Sequence, residues 1–191
     1  MNKKLIKQFV IEILFVATLI AIDLISKQVV FDLFEQTGKK YIVVLEKIFA
    51  FQEAKNYGAS FSILSGQTTL LLVITIVATI LMGTILVIRP NTGKSFRYAV
   101  LLLIGGGIGN VVDRISLGYV RDFIDYTFLK TFFNIDFAIG NIADLFCLVG
   151  VLVFIVYIVF EFDEKQFMSK KKLLELELKD KENGDSKNAS V

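Results

Sequence analysis

The sequence predicts an all-α membrane protein, four transmembrane helices with a small extracytoplasmic β-element. Three observations lead there. The 191 residues are 54% hydrophobic with a mean hydropathy of +0.64, too apolar for an ordinary soluble domain. The apolar residues fall in blocks of bilayer length, at about 8–31, 68–88, 98–112 and 137–160. Basic residues cluster before the first block, between the second and third, and after the fourth, the alternation of a multi-pass protein.

The first block begins after Lys3, Lys4 and Lys7, which look like a signal-peptide n-region. Glu12 and Asp23 interrupt the apolar stretch and no small-residue cleavage site is convincing, so it reads as a retained span. Eleven residues separate the two acids, close to three helical turns, which puts them on one face. Glu12 is expected near the inner surface, solvated. Asp23, nearer the outer end, has Lys27 four residues on and within reach.

The connection 32–67 holds Tyr41-Ile42-Val43-Val44-Leu45 and Ile48-Phe49-Ala50-Phe51, β-branched and aromatic runs that predict short strands. Asn56-Tyr57-Gly58-Ala59-Ser60-Phe61-Ser62-Ile63-Leu64 follows, either an ordinary turn bent at Gly58 or a place where backbone approaches a ligand. The second block carries no charge and reaches roughly 30 Å, one hydrocarbon thickness. A basic turn with Arg89, Lys94 and Arg97 leads into the third block. Its Gly105-Gly106-Gly107-Ile108-Gly109 cluster lacks both the lysine of a phosphate-binding loop and the strand of a dinucleotide site. Close helix packing in lipid explains it.

A second connection runs from Asp113 to about Asp136. Residues 1–162 then form one four-span domain, and 163–191 a charged tail that is expected to be cytoplasmic, partly helical and then disordered. Both termini are expected in the cytoplasm, with both connections toward the outer leaflet.

Several chemistries are excluded. There is no histidine, which removes serine–histidine and cysteine–histidine catalysis and histidine-ligated metals. A net charge of +2 and no basic patch interleaved with aromatics argue against nucleic acid. The single cysteine, Cys147, sits in an apolar run and is expected only to pack. No metal and no cofactor are expected.

What remains is a constellation between Gly105 and Asp144. Asn110 and Asp113 are three apart, as are Asn141 and Asp144, so on a helix each amide can orient its neighbouring carboxylate. Arg114 is placed to pair with Asp113 or to hold backbone near the site. The segment Tyr119-Val120-Arg121-Asp122-Phe123-Ile124 has little helical pattern and can cross the helix ends, bringing Asp122 to Asp144. Alternation in an extended segment sends Arg121 to the face opposite Asp122. Two carboxylates in one site cannot both ionise cheaply, so one keeps a proton near neutral pH and the pair can hydrolyse a peptide. The residues alone leave three readings open. These are an aspartyl hydrolase, a small proton-coupled transporter, and a structural membrane subunit whose acids are caps and ion pairs.

The motifs Asp23-Leu24-Ile25-Ser26-Lys27, Asn56-Tyr57-Gly58-Ala59-Ser60-Phe61-Ser62, Gly109-Asn110-Val111-Val112-Asp113-Arg114, Gly118-Tyr119-Val120-Arg121-Asp122-Phe123 and Asn141-Ile142-Ala143-Asp144 occur in that order across the four blocks. Together they resemble the bacterial lipoprotein signal peptidase (signal peptidase II) family, over roughly residues 21–159. The resemblance implies an intramembrane aspartyl endopeptidase that removes signal peptides from diacylglyceryl-modified prolipoproteins, cutting before the lipidated cysteine. It also implies inhibition by globomycin, a mobile extracytoplasmic segment over the site, and contact with membrane lipid. By motif position, Asp122 and Asp144 would be catalytic, and Asn56, Gly58, Asn110, Arg114 and Asn141 would line the pocket. Asp23 and Asp113 would support it. The expected setting is the bacterial cell (cytoplasmic) membrane, with the enzyme acting as a monomer and the site toward the outer leaflet. Two positions depart from the family pattern: Arg121 stands where an apolar residue is usual, and Gly140 where a phenylalanine is usual.

Overall fold

The computed structural model describes residues 3–58 and 67–162, together with Glu175 and Leu178. Its elements in chain order are α1 (Lys3–Thr37), β1 (Tyr41–Leu45), β2 (Phe49–Asn56), α2 (Thr68–Ile88), α3 (Lys94–Leu117), β3 (Val120–Asp125), α4 (Thr127–Phe133) and α5 (Ile142–Val156), which ends in a π-helical turn, Tyr157–Glu161. Four helices are long and apolar enough to cross a membrane, α1, α2, α3 and α5 with its terminal turn. Their outer surfaces are apolar and open, as at Ile13 (68% exposed) and Ile80 (60%), where lipid rather than protein would cover them.

The expected strands form, and the segment around Asp122 becomes the third. The sheet is antiparallel with order β1-β2-β3. It rests on α1, which explains that helix's length. At about 1.5 Å per residue, 35 residues span roughly 50 Å, well beyond one hydrocarbon thickness. The surplus turns project Val30 and Phe34 into a buried cluster with Phe123 and Ile124 of β3. β3 is thereby fixed over the end of the bundle.

Three helix limits differ from the hydropathy blocks. α1 and α3 exceed 8–31 and 98–112 because their polar end turns remain helical outside the apolar stretch. α3 stops at Gly118, whose φ of 81° is left-handed. The fourth helix begins at Ile142 rather than 137, because Asn141 caps it and Gly140 is drawn into a β-bridge with Ile124. The second helix matches its expected span. Residues 59–66 and, apart from Glu175 and Leu178, the tail 163–191 lie outside the described residues, so the expectations for them stand as stated.

α3 is the central helix, touching α1, α2 and α5. Its glycines permit this, as expected. A Cβ at Gly105 would meet Leu19 of α1, one at Gly106 the Ala143 carbonyl and Cys147 Sγ of α5, and one at Gly107 the Thr75 and Thr79 side chains of α2. The Gly106 contact is with backbone, which cannot swing aside. Gly106→Leu is therefore expected to separate α3 from α5 and cost about 3 kcal/mol or more, read as a lower melting temperature and folded yield in detergent. An unchanged melting temperature would contradict this packing role.

The end of the bundle away from the sheet corrects one expectation. Glu12 is not solvated but buried, accepting from Arg97 Nε at 2.6 Å and Nη2 at 2.7 Å. A carboxylate at this depth needs a partner, and the bidentate guanidinium supplies one.

Candidate active site

Asp122 projects from the same face of β3 as Val120, opposite Ala54 of β2. Asn56 sits diagonally across that face and donates Nδ2–H to Asp122 Oδ2 at 2.9 Å. The other carboxylate oxygen accepts from Asn141 Nδ2 at 2.6 Å. β3 is tied to the entry of α5 through Gly140, whose carbonyl accepts from Phe123 N and Ile124 N, both at 2.8 Å. This backbone clasp brings Asp122 beside Asp144. A Cβ at Gly140 would stand 3.1 Å from Asp144 Oδ2, so the small residue keeps that carboxylate's surroundings open.

Asp144 lies in the first turn of α5 and forms a capping box with Asn141. Asp144 N donates to Asn141 Oδ1 and Asn141 N to Asp144 Oδ2, each at 3.0 Å. The fourth partner comes from α3, where Asn110 Nδ2 donates to Asp144 Oδ1 at 3.0 Å. Asn110 is held in that orientation because its own Oδ1 accepts from Lys27 Nζ at 2.9 Å and Asn141 Nδ2 at 3.1 Å. Asn141 thus binds both carboxylates, one through its side chain and one through its backbone.

Asp122 is only 2% exposed. Burial, and then the charge of Asp144, push its pKa up to about 7 against the pull of the Asn56 and Asn141 amides. Near neutral pH Asp122 is therefore partly protonated. The nearby Tyr126 hydroxyl is pushed up to about 12 by burial and the two carboxylates, and stays protonated.

Asp23 and Asp113 are fully buried and stand behind the site rather than in it. Asp23 accepts from Lys27 Nζ at 2.7 Å, as the four-residue spacing predicts, and from Ala143 N at 2.9 Å, satisfying an orphan amide at the start of α5. Asp113 does not pair with Arg114. Consecutive helical residues do not face one another, and Arg114 Nη2 instead donates to the Gly58 carbonyl at 3.1 Å. That fixes the backbone beside the Asn56–Gly58 turn, where Gly58 N donates to Asn56 Oδ1 at 2.9 Å. The partner of Asp113 is Arg121, through its backbone N at 3.0 Å and Nη2 at 2.8 Å, with Lys27 Nζ at 3.6 Å. Nor does Asn110 orient Asp113, whose oxygens are already occupied, and its amide crosses to Asp144.

Asp122 and Asp144 share a cavity of about 250 Å³ with Asn56, Asn110, Arg114 and Cys147. Of the residues expected to line it, Asn141 lies beneath the carboxylates, fully buried. Asp144 also borders a second, apolar cavity of about 330 Å³ walled by Phe128, Leu129, Phe137 and Leu148. Two supporting residues escaped the sequence reading in their full role. Lys27 was placed only against Asp23, and Arg121 only on the opposite face. The family departure at 121 was the available signal, since an arginine placed where an apolar residue is usual calls for an acid, and here the half-buried Arg121 finds Asp113.

Four membrane helices that gather two carboxylates among amide donors beneath a small sheet define the class, a multi-pass membrane hydrolase. The chain belongs to the signal peptidase (SPase) II family, whose model matches residues 15–160. It is a peptidase. It is 37% identical over 120 residues to the lipoprotein signal peptidase of Clostridium tetani, covering 63% of this chain and 75% of that one. It is 34% identical over 110 residues to that of Caldanaerobacter subterraneus subsp. tengcongensis, covering 58% and 70%. Among solved structures it resembles two bacterial membrane enzymes determined in meso. One aligns with a TM-score of 0.67 at 29% identity, over 78% of this chain and 87% of the other. The second gives 0.66 at 28%, over 79% and 94%.

Proposed function

We propose that Asp122 and Asp144 are the catalytic pair of an aspartyl endopeptidase that removes the signal peptide from diacylglyceryl-modified prolipoproteins, cutting before the lipidated cysteine. The observation that carries this is the geometry: two carboxylates bound by one residue, Asn141, with Asp122 buried and its pKa raised to about 7. The ionised carboxylate takes a proton from the attacking water. The protonated one donates to the scissile carbonyl, and the proton then passes to the leaving nitrogen. Asn56, Asn110 and Asn141 hold the carboxylates in place, and Arg114 holds the Gly58 turn. Asp23 and Asp113, through Lys27 and Arg121, anchor α5 and β3.

The membrane proposed is the cytoplasmic membrane, with both termini inside and the site toward the outer leaflet. Lys3, Lys4, Lys7, Arg89 and Lys94 lie at the end remote from the carboxylates, the charge bias of a cytoplasmic face. The enzyme acts as a monomer, since one chain supplies every group of the pair's hydrogen-bond set. The substrate's acyl chains rest in lipid beside the bundle, next to the apolar cavity at Asp144.

Purified protein is expected to convert a lipidated prolipoprotein to a faster-migrating product, with release of a peptide whose mass ends one residue before the cysteine. The unlipidated precursor should be cut more slowly by about a hundredfold or more in kcat/KM, because it forfeits acyl burial worth roughly 0.8 kcal/mol per methylene. Equal rates for the two would overturn the lipid part of the reading, and no released peptide would overturn the whole.

A further inference from the structure

We propose that Gly140 sets substrate specificity, by opening a pocket for a large apolar side chain on the residue immediately before the cut. The inference rests on Asp122 and Asp144 being the cleaving pair. Gly140 has no conformational reason to be glycine. Its φ is not left-handed, unlike those of Gly38 and Gly118. Its links to β3 run through its own carbonyl and N–H, to Phe123 N, Ile124 N and the Ile124 carbonyl, and a residue with a side chain would offer the same groups. What the glycine adds is room. A Cβ would stand 3.1 Å from Asp144 Oδ2 and 3.6 Å from Tyr126 Oη. That room is one edge of the apolar cavity of about 330 Å³, whose other walls include Phe128, Leu129, Phe137, Ala138, Leu145 and Leu148. The cavity therefore begins beside one of the two carboxylates that would hold the scissile bond.

Size and connectivity choose the occupant. A dry apolar cavity of about 150 Å³ accepts benzene, so about 330 Å³ has room for a leucine or phenylalanine side chain. With the scissile carbonyl held between the carboxylates, the side chain nearest the space beside Asp144 is that of the residue bearing this carbonyl. The residue after the cut is the lipidated cysteine. Its side chain leads through a sulfur and a glyceryl unit with ester oxygens before any acyl carbon is reached. Those oxygens would have to occupy the apolar start of the cavity without donors. A leucine before the cut fills the same space with carbon alone and gains its burial. A side chain at 140 would take that space instead.

The test measures kcat/KM of the full chain in detergent on lipidated prolipoproteins that differ only in the residue before the cut, alanine, leucine or phenylalanine. The parent enzyme is expected to favour leucine and phenylalanine over alanine by about tenfold or more, the discrimination a few methylenes give in an apolar pocket. Gly140→Phe should abolish that preference, and Ala138→Leu, which fills the cavity from another wall, should lower it. The readout is a ratio between substrates, so a general loss of rate from a displaced Asp144 cancels. Where Gly140→Phe is inactive on all three substrates, Ala138→Leu decides. The ratio of lipidated to unlipidated cleavage on the alanine substrate should be the same in parent and variants. Three results would each overturn the inference while leaving the catalytic pair in place. These are a parent that favours alanine, an unchanged preference in Ala138→Leu, and a fall in the lipidated-to-unlipidated ratio instead, which would mark the cavity as an acyl seat. A parent that releases no peptide from any of the three substrates would overturn the proposed function as well.

Discussion

Asp122→Asn and Asp144→Asn are each expected to lower kcat by about a thousandfold or more, within the range that positioned acid–base groups supply. An amide keeps the shape of the side chain and accepts one hydrogen bond, but it cannot exchange the proton. The loss should therefore appear in kcat and leave substrate binding nearly intact. Folding should survive, and for Asp122 the sign of the stability change can be worked out. Its pKa rises from 3.8 in the unfolded chain to about 7 in the fold. Ionising it costs the fold nothing below the unfolded value, increasingly more between the two values, and the full amount above the folded one. Asp122→Asn removes that cost, so above about pH 7 it should melt no lower than the parent enzyme, measured by thermal unfolding in detergent. Asp113→Asn should behave in the opposite way. It touches no reacting group and holds Arg121 against α3, so it should lose stability and keep residual turnover.

The largest stability effect is expected at Lys27. Its ammonium is fully buried and contacts Asp23 at 2.7 Å, Asn110 at 2.9 Å and Asp113 at 3.6 Å. Lys27→Met leaves Asp23 with only an amide partner and removes the donor that turns Asn110 toward Asp144. Stripping one partner from a buried ion pair costs about 3–5 kcal/mol. The double variant Asp23→Asn, Lys27→Met removes both charges and should recover part of that loss, so the two substitutions should be clearly non-additive. Denaturant or thermal unfolding of the four proteins measures this. A Lys27→Met variant as stable as the parent would show that the buried cluster does not anchor the helices.

These contrasts also show what the chain disclosed before its structure. Hydropathy blocks and basic turns gave the four helices, and β-branched runs gave the strands. The absence of helical pattern around Asp122 gave the crossing segment. Such signals are local, one helix or one strand at a time. The glycine cluster indicated close packing, but not that Gly105, Gly106 and Gly107 address three different helices. Pairings across the bundle were not legible, because they depend on how the helices are rotated against one another. Asn110 serves Asp144 rather than its own neighbour Asp113, and Asp113 takes Arg121 rather than Arg114. The pair of Glu12 and Arg97 joins residues 85 positions apart, and no local spacing announces it. Gly140 was visible as a departure, while its backbone clasp on β3 was not.

The most direct test of a shared proton is the pH dependence of single-turnover cleavage by the unmodified enzyme on a lipidated prolipoprotein. If Asp122 and Asp144 are the catalytic pair, with Asp122 poised near 7, the active form of the enzyme should hold one proton between the two carboxylates. The rate constant should be greatest below about pH 7 and fall about tenfold per pH unit above it, as the last proton leaves the pair. A rate that stayed level to about pH 9, with the protein still folded, would contradict the shared proton and the assignment of Asp122 and Asp144 as the catalytic pair.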